Sequence, residues 1–437
     1  MRINKLFLFL FCLLLTRCKP EISKPTVNGG RADFTRVVAL GDDFFAGYQD
    51  DALYNEAQHY SIPNLIAGQI KLVTQFNFNQ PTITNEVGIN SKPWEGVYTT
   101  KSRLGFKTDC NGVTDFFPLK NTINQSAAVG GMQSFINGTI QNLAIPFCKS
   151  VDVNDPAFGN VNGNFYYSHF TSAQGSSTLL RDAAMQNPTF VLLWLGMEDI
   201  FSFSQKGGKD VSITPVSVFE SQLDSVLKTL TSNQAKGVIA TIPDLESFPF
   251  YTLISSRGLM LSIAQADSLN QLTGLQLYNQ GENGFFIEYP KDSGNYRQMG
   301  RGENVLLDIP IDSLKCYSMG LVFPISDRYT LDSTEISSIH QSIAAYNSVI
   351  KQKALQYDFA FTDMNQFFKN VKSGIIWDGV TLNADFISGG IFSLDGYHPH
   401  QKGYSIIANE FIKSINNYYG ATLPWVNCKE CNGVKFP

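Results

Sequence analysis

The stretch "VVALGDDFFAGYQDDALY", residues 37–54, decides how the rest of the chain is read. Val37, Val38, Ala39 and Leu40 form a short, uniformly apolar run of the kind that fills a strand buried on both faces. Gly41, Asp42 and Asp43 follow at once, and the chain then opens toward a helix. A strand that turns into a helix presents its turn residues at the strand's C-terminal end, where ligands bind in doubly wound sheets. The turn has the form of one that carries a nucleophile, but Asp43 stands where a serine would be needed.

Further along, Phe190 to Leu195, Val238 to Ile242 and Phe359 to Thr362 are equally short and apolar. Amphipathic helices lie between them. Thr214-Pro215 is a start signal, followed by Phe219, Leu223, Val226, Leu227 and Leu230 on one face. Ile336, Ile339, Ile343, Tyr346 and Ile350 make a second stripe, and Tyr404, Ile407, Phe411 and Ile415 a third. Strand alternating with helix predicts an α/β fold, a parallel sheet covered on both faces. Residues from about 75 to 175 and from about 251 to 325 are rich in Gly and Asn and read as long loops inserted over the sheet. The chain divides into a leader (1–18), a polar linker (19–30), the α/β domain (31–427) with those insertions, and a C-terminal tail (428–437).

The leader, "MRINKLFLFLFCLLLTRCKP", has a basic start at Arg2 and Lys5 and an apolar run too short to span a bilayer, which predicts export. Cys18 resembles the lipid-modified cysteine of bacterial lipoproteins, although Arg17 stands where a small residue is usual. An anchored protein at the membrane surface of the cell envelope is the expectation. A net charge of −5 with no basic run argues against nucleic acid as a partner. The aromatic content of 13% is read as packing rather than as a sugar-stacking surface. Cys428 and Cys431 lack a second ligand pair at zinc spacing, so a small local disulfide or free thiols is expected there. The pairing of Cys110, Cys148 and Cys316 is open.

Three polar clusters end apolar runs: Gly41-Asp42-Asp43, Gly196-Met197-Glu198-Asp199 and Asp395-Gly396-Tyr397-His398. The last places a carboxylate and an imidazole three residues apart on a turn, where one can orient the other. With "ADFTRVVALGDDFFAGYQDDALY", "NPTFVLLWLGMEDI" and "FSLDGYHPHQKGYSIIANEFIKSIN", the chain resembles the SGNH (GDSL) hydrolases, and most closely the large exported SGNH-like lipoproteins of Bacteroidetes-type bacteria. That resemblance implies a three-layer α/β/α, flavodoxin-like fold. It also implies a serine nucleophile in the first block, a glycine and an asparagine that bind the oxyanion, and an Asp-x-x-His base. Here the serine position is Asp43 and the asparagine position Glu198. The glycine position is Phe147 if "QNLAIPFCKS" is the second block, with Gly130 and Gly131 of "AAVGGM" competing. Asp395 and His398 alone match the pattern.

The departures have physical consequences. A carboxylate attacking an ester gives a mixed anhydride, with a good leaving group at each end and no driving force. An ionised Glu198 would oppose the charge that develops on the oxyanion. The leading expectation is therefore an exported lipoprotein without ester hydrolase activity, a binding protein for a small ligand such as an acylated glycan or a lipid. The alternatives are an active SGNH/GDSL esterase or lipase, and a hydrolase of changed chemistry using Asp43, His398 and Asp395. A glycosidase pair of Asp43 and Glu198, and a cation site of Asp42, Asp43, Glu198 and Asp199, are further variants. No cofactor or metal is expected, since Asp42 and Asp199 suit loop N–H groups better. His59, His169, His340 and His400 have no partner at motif spacing. His340 is read as solvated and His400 as a surface residue, its nearness to His398 leaving a pocket role open.

Overall fold

The computed structural model describes residues 26–84, 86–92, 96–130 and 139–437. The leader, Cys18, most of the linker and Gly131 lie outside them. Five parallel strands form the central sheet: β1 (Val37–Gly41), β2 (Asn142–Ala144), β3 (Phe190–Trp194), β4 (Lys236–Ala240) and β5 (Ala360–Thr362), in the order β5-β4-β3-β1-β2. Val37 pairs with Phe190, Ala39 with Asn142, Leu192 with Val238 and Val238 with Ala360. Every residue of β1 and β3 is buried, as continuous apolar runs require.

The helices that matter to the sheet are α1 (Asp43–Ala46), α2 (Ile62–Ile70), α3 (Leu179–Ala184), α4 (Met197–Ser204), α5 (Val216–Leu230), α6 (Ser333–Gln356), α7 (Met364–Ser373) and α8 (Gln401–Tyr419). Helix α2 packs on α8, while α3 and α6 both pack on α5. The three predicted stripes on α5, α6 and α8 are buried throughout. Asp332 starts α6 with a capping box closed by Glu335. Chain order reverses between β1 and β3, so the residues after these two strands face each other at the crevice where such sheets bind ligands.

One expectation needs correcting. The stretch from about 75 to 175 is not only an inserted loop, because it contributes the edge strand β2. It also sends Phe147, Val153, Tyr166 and Tyr167 into the main core, and an antiparallel hairpin pairs Arg103–Thr108 with Thr114–Leu119. The second insertion builds a small core of its own from Ile287, Met299, Val305, Ile309 and Ile325. A disulfide between Cys110 and Cys316 joins the two insertions, flanked by Lys107 and Asp312 at 2.7 Å and Lys315 and Asp109 at 3.3 Å. Cys148, Cys428 and Cys431 are free and buried. Among the described residues no helix is long and apolar enough to cross a membrane.

Candidate active site

Gly41 ends β1 because nothing larger fits: a Cβ there would lie 2.6 Å from the Trp194 carbonyl oxygen on β3. Asp42 then caps α1, its Oδ1 accepting the Phe44 N–H at 3.3 Å, and Asp43 is the first helical residue. Gly196, at φ +107, turns β3 into α4 and places Glu198 in that helix's first turn. His398 comes from the loop that leads into α8.

These elements converge. His398 Nε2 lies 2.9 Å from Asp43 Oδ2, and its Nδ1 lies 3.0 Å from Asp395 Oδ2. Asp395 is itself fixed by the backbone N–H groups of His398 (2.7 Å), Tyr397 (2.9 Å) and Asp51 (3.0 Å). The result is a continuous Asp43–His398–Asp395 chain in which the imidazole bridges two carboxylates. The rings of Phe44, Tyr48 and Tyr397 surround the imidazole with centroids 4.7–5.1 Å away. The site is shut: Asp43 and Glu198 are 1% exposed and His398 2%. Cavities of about 550 and 500 Å³ lie elsewhere, lined by none of these three residues.

Electrostatics follow from the packing. Burial works against a charged imidazole, but the carboxylates of Asp395 and Asp43 outweigh it and hold His398 up at about 9. Burial also works against the Asp395 carboxylate, yet His398 and its N–H donors bring it down to about 2. Burial and the Asp43 charge push Glu198 well above the usual carboxylate range, and burial, Asp43 and Glu198 do the same to Asp42. Glu198 Oε2 and Asp42 Oδ2 have no hydrogen-bond partner among the described residues. His398 is thus held toward its charged form between Asp395 and Asp43, while Glu198 and Asp42 are held toward their neutral forms.

Phe147 packs on Tyr48 at 5.5 Å between ring centroids and so stands one ring away from His398. Its φ of +65 is a left-handed conformation that favours glycine. The competing Gly130 ends an outlying helix and is exposed. Asp199 accepts from the Ser150 N–H and hydroxyl, both at 2.7 Å, so it serves a loop as expected. No group of three or more His, Cys, Asp or Glu among the described residues is placed to hold a metal ion. His340 is solvated beside Glu246 at 2.8 Å. His400 departs from its surface reading: it is 3% exposed, its Nδ1 caps α8 by accepting the Lys402 N–H, and the chain passes over it at Gly433. Sequence reasoning also missed Tyr48, whose place beside both His398 and Phe147 is set by the left-handed Gly47 before it, at φ +82.

The family model for GDSL-like lipases and acylhydrolases matches residues 37–411, from the first residue of β1 into α8. The chain belongs to that family. No curated protein matches it. Among solved structures it is similar to a candidate GDSL-like lipase from Parabacteroides merdae, at 11% identity and a TM-score of 0.36, over 89% of this chain and 99% of that one. It is similar also to a catalytic mutant of an acetylxylan esterase from Geobacillus stearothermophilus (12%, TM-score 0.37, 91% and 98%). An extracellular lipase from Streptomyces rimosus is a third such structure (15%, TM-score 0.34, 89% and 100%).

Proposed function

We propose that this GDSL-family chain does not hydrolyse esters, and that Asp43, His398 and Asp395 form a buried ionic lock where its relatives carry a nucleophile. The observation that carries this reading is the 2.9 Å contact between His398 Nε2 and Asp43 Oδ2, with His398 itself only 2% exposed. An imidazole held at about 9 is protonated at neutral pH and takes no proton from a substrate or a water. Asp43 supplies no alkoxide, and its attack on an ester leads only to an anhydride. The test is the hydrolysis of p-nitrophenyl acetate and butyrate by wild type, Asp43→Ser and Asp43→Ser/Glu198→Asn, each with and without His398→Ala. Wild type should be inactive, the serine variant weak, and the double variant faster by about 100-fold, the worth of a restored oxyanion donor. Wild-type turnover abolished by His398→Ala would show a working esterase.

A second reading has one observation in its favour. Carboxylate, imidazole and carboxylate in a row could open an epoxide or displace a halide, with Asp43 attacking saturated carbon and His398 then activating water on the ester formed. That water step needs a neutral imidazole, so turnover of styrene oxide or 1-bromobutane should climb toward pH 9 and vanish in Asp43→Asn.

At the cell envelope the chain acts as a binding protein held by acyl chains on Cys18. The leader supports this, and so does the Cys110–Cys316 disulfide, since such bonds persist in oxidising compartments. Mass spectrometry of the native protein should find an acylated N-terminal Cys18; an intact leader would overturn the anchoring.

A further inference from the structure

The first described residues are clamped to the segment that follows α8. The Asn28 N–H donates to the Thr422 hydroxyl at 2.9 Å, that hydroxyl donates to the Thr26 carbonyl at 2.9 Å, and the Thr422 N–H donates to the Asn28 carbonyl at 3.0 Å. The chain therefore enters the domain beside Thr422. Cys18 stands eight residues before Thr26, a reach of about 28 Å at full extension.

An exposed apolar patch lies next to that entry point. Trp425, three residues past Thr422 and so within about 11 Å of it, is 54% exposed and stacks on Trp377 with ring centroids 5.4 Å apart. Trp377 belongs to a two-stranded hairpin, Ile375–Trp377 paired with Val380–Leu382, where it lies directly opposite Val380. Val380 is 54% exposed, and Ile376, on the hairpin's other face, 77%. Leu382 roots the hairpin in the main core and Ile375 packs against it, so the exposed side chains stand on a fixed support. The charges nearest in sequence cancel, Lys372 and Lys429 against Asp378 and Glu430. Exposed apolar patches mark contacts with proteins or membranes, and tryptophan suits the half-wet bilayer interface. The short N-terminal segment favours the membrane, because it keeps the patch at high effective concentration over the surface that holds the chain.

We propose that Trp425, with Trp377, Val380 and Ile376, seats the domain in the headgroup region of the bilayer to which the N-terminal segment attaches it. The inference rests on the membrane anchoring proposed above and adds an orientation: a tether alone leaves the domain free to turn, and a second apolar contact does not. The full chain in vesicles of phosphatidylethanolamine and phosphatidylcholine tests it, neutral lipid sufficing because the nearby charges cancel. Lipid with brominated acyl chains is the quencher, and the difference between wild type and Trp425→Phe isolates Trp425. Its emission should shift to shorter wavelength and lose intensity to the brominated lipid. Ile376→Ser/Val380→Ser changes only exposed side chains and should abolish that quenching while the chain still floats with the vesicles. Flotation thus reads the anchor and quenching reads the patch. A chain that floats with Trp425 unquenched overturns the patch alone. Quenching in a chain whose Cys18 carries no acyl group by mass spectrometry upholds the patch and overturns the acyl anchor, and a chain that does not float overturns both. A dimer in solution that shields Trp425 from acrylamide without vesicles overturns the membrane contact and assigns the patch to a second copy.

Discussion

His398 and His400 lie two residues apart and are almost equally buried, at 2% and 3% exposure, yet one is held at about 9 and the other at about 4. Burial lowers both. What separates them is the partner each nitrogen meets: two carboxylates around His398, against a helix N–H and the nearby Lys402 charge around His400. Depth in the fold therefore does not decide whether a histidine is a cation; the first polar atom on each side of the ring does. The same contrast assigns their roles, an ion pair that locks the loop before α8 to the start of α1 and a neutral ring that caps α8.

The contrast is broken most directly by deletion. Removing the cation from between two buried carboxylates, in His398→Ala, should cost about 3–5 kcal/mol in urea unfolding, whereas His400→Ala should cost about 1 kcal/mol, the worth of a helix cap. Equal losses would end the argument for a lock. The pH profile of stability sharpens it. His398 is raised in the folded protein, so its contribution is complete below about 6.5 and is lost as pH rises through about 9, a change on the order of 3 kcal/mol. His400 is lowered, so its contribution is complete above about 6.5 and is lost as pH falls through about 4. Maximum stability should sit near pH 6.5, with His400→Ala flattening the acid limb alone. In nitrogen-edited NMR titrations, Asp43→Asn should lower the His398 midpoint by about 1–2 units and leave His400 unmoved. The smallest effect belongs to Glu198→Gln. Glu198 is raised, so stability is lost progressively as pH rises above about 4.5, and Glu198→Gln should stabilise the protein more at pH 8 than at pH 5 in urea unfolding.

Much of this was legible in the chain. Strands β1, β3 and β4 announce themselves because a strand buried on both faces must be apolar throughout, and α5, α6 and α8 because their buried stripes repeat at helical spacing. Strand β2 escaped because it is three residues long, begins with Asn142 and sits in polar surroundings. The three blocks placed Asp43, Glu198 and His398 at one edge, and the fold brings Asp43 and His398 to 2.9 Å. The closure of the site was not legible, since it depends on Tyr48, Phe44 and Tyr397 meeting around a ring. Nor was the burial of His400, which comes from a tail more than thirty residues further on. The sequence left open whether Glu198 is ionised; burial and the Asp43 charge raise it, which depends on packing no sequence pattern shows.

The Cys110–Cys316 bond bridges a sequence separation of 206 residues. Strands β2, β3 and β4 lie between the two cysteines, while β1 and β5 lie outside. Under tension applied at the two ends, the middle of the sheet thus belongs to a closed ring that cannot be drawn out. Single-molecule extension of the oxidised protein should fall short of the reduced protein by roughly 700 Å, the reach of that many residues. A chain held at one end and pulled from the other would give up its outer strands while the three inner ones stay bound in a loop.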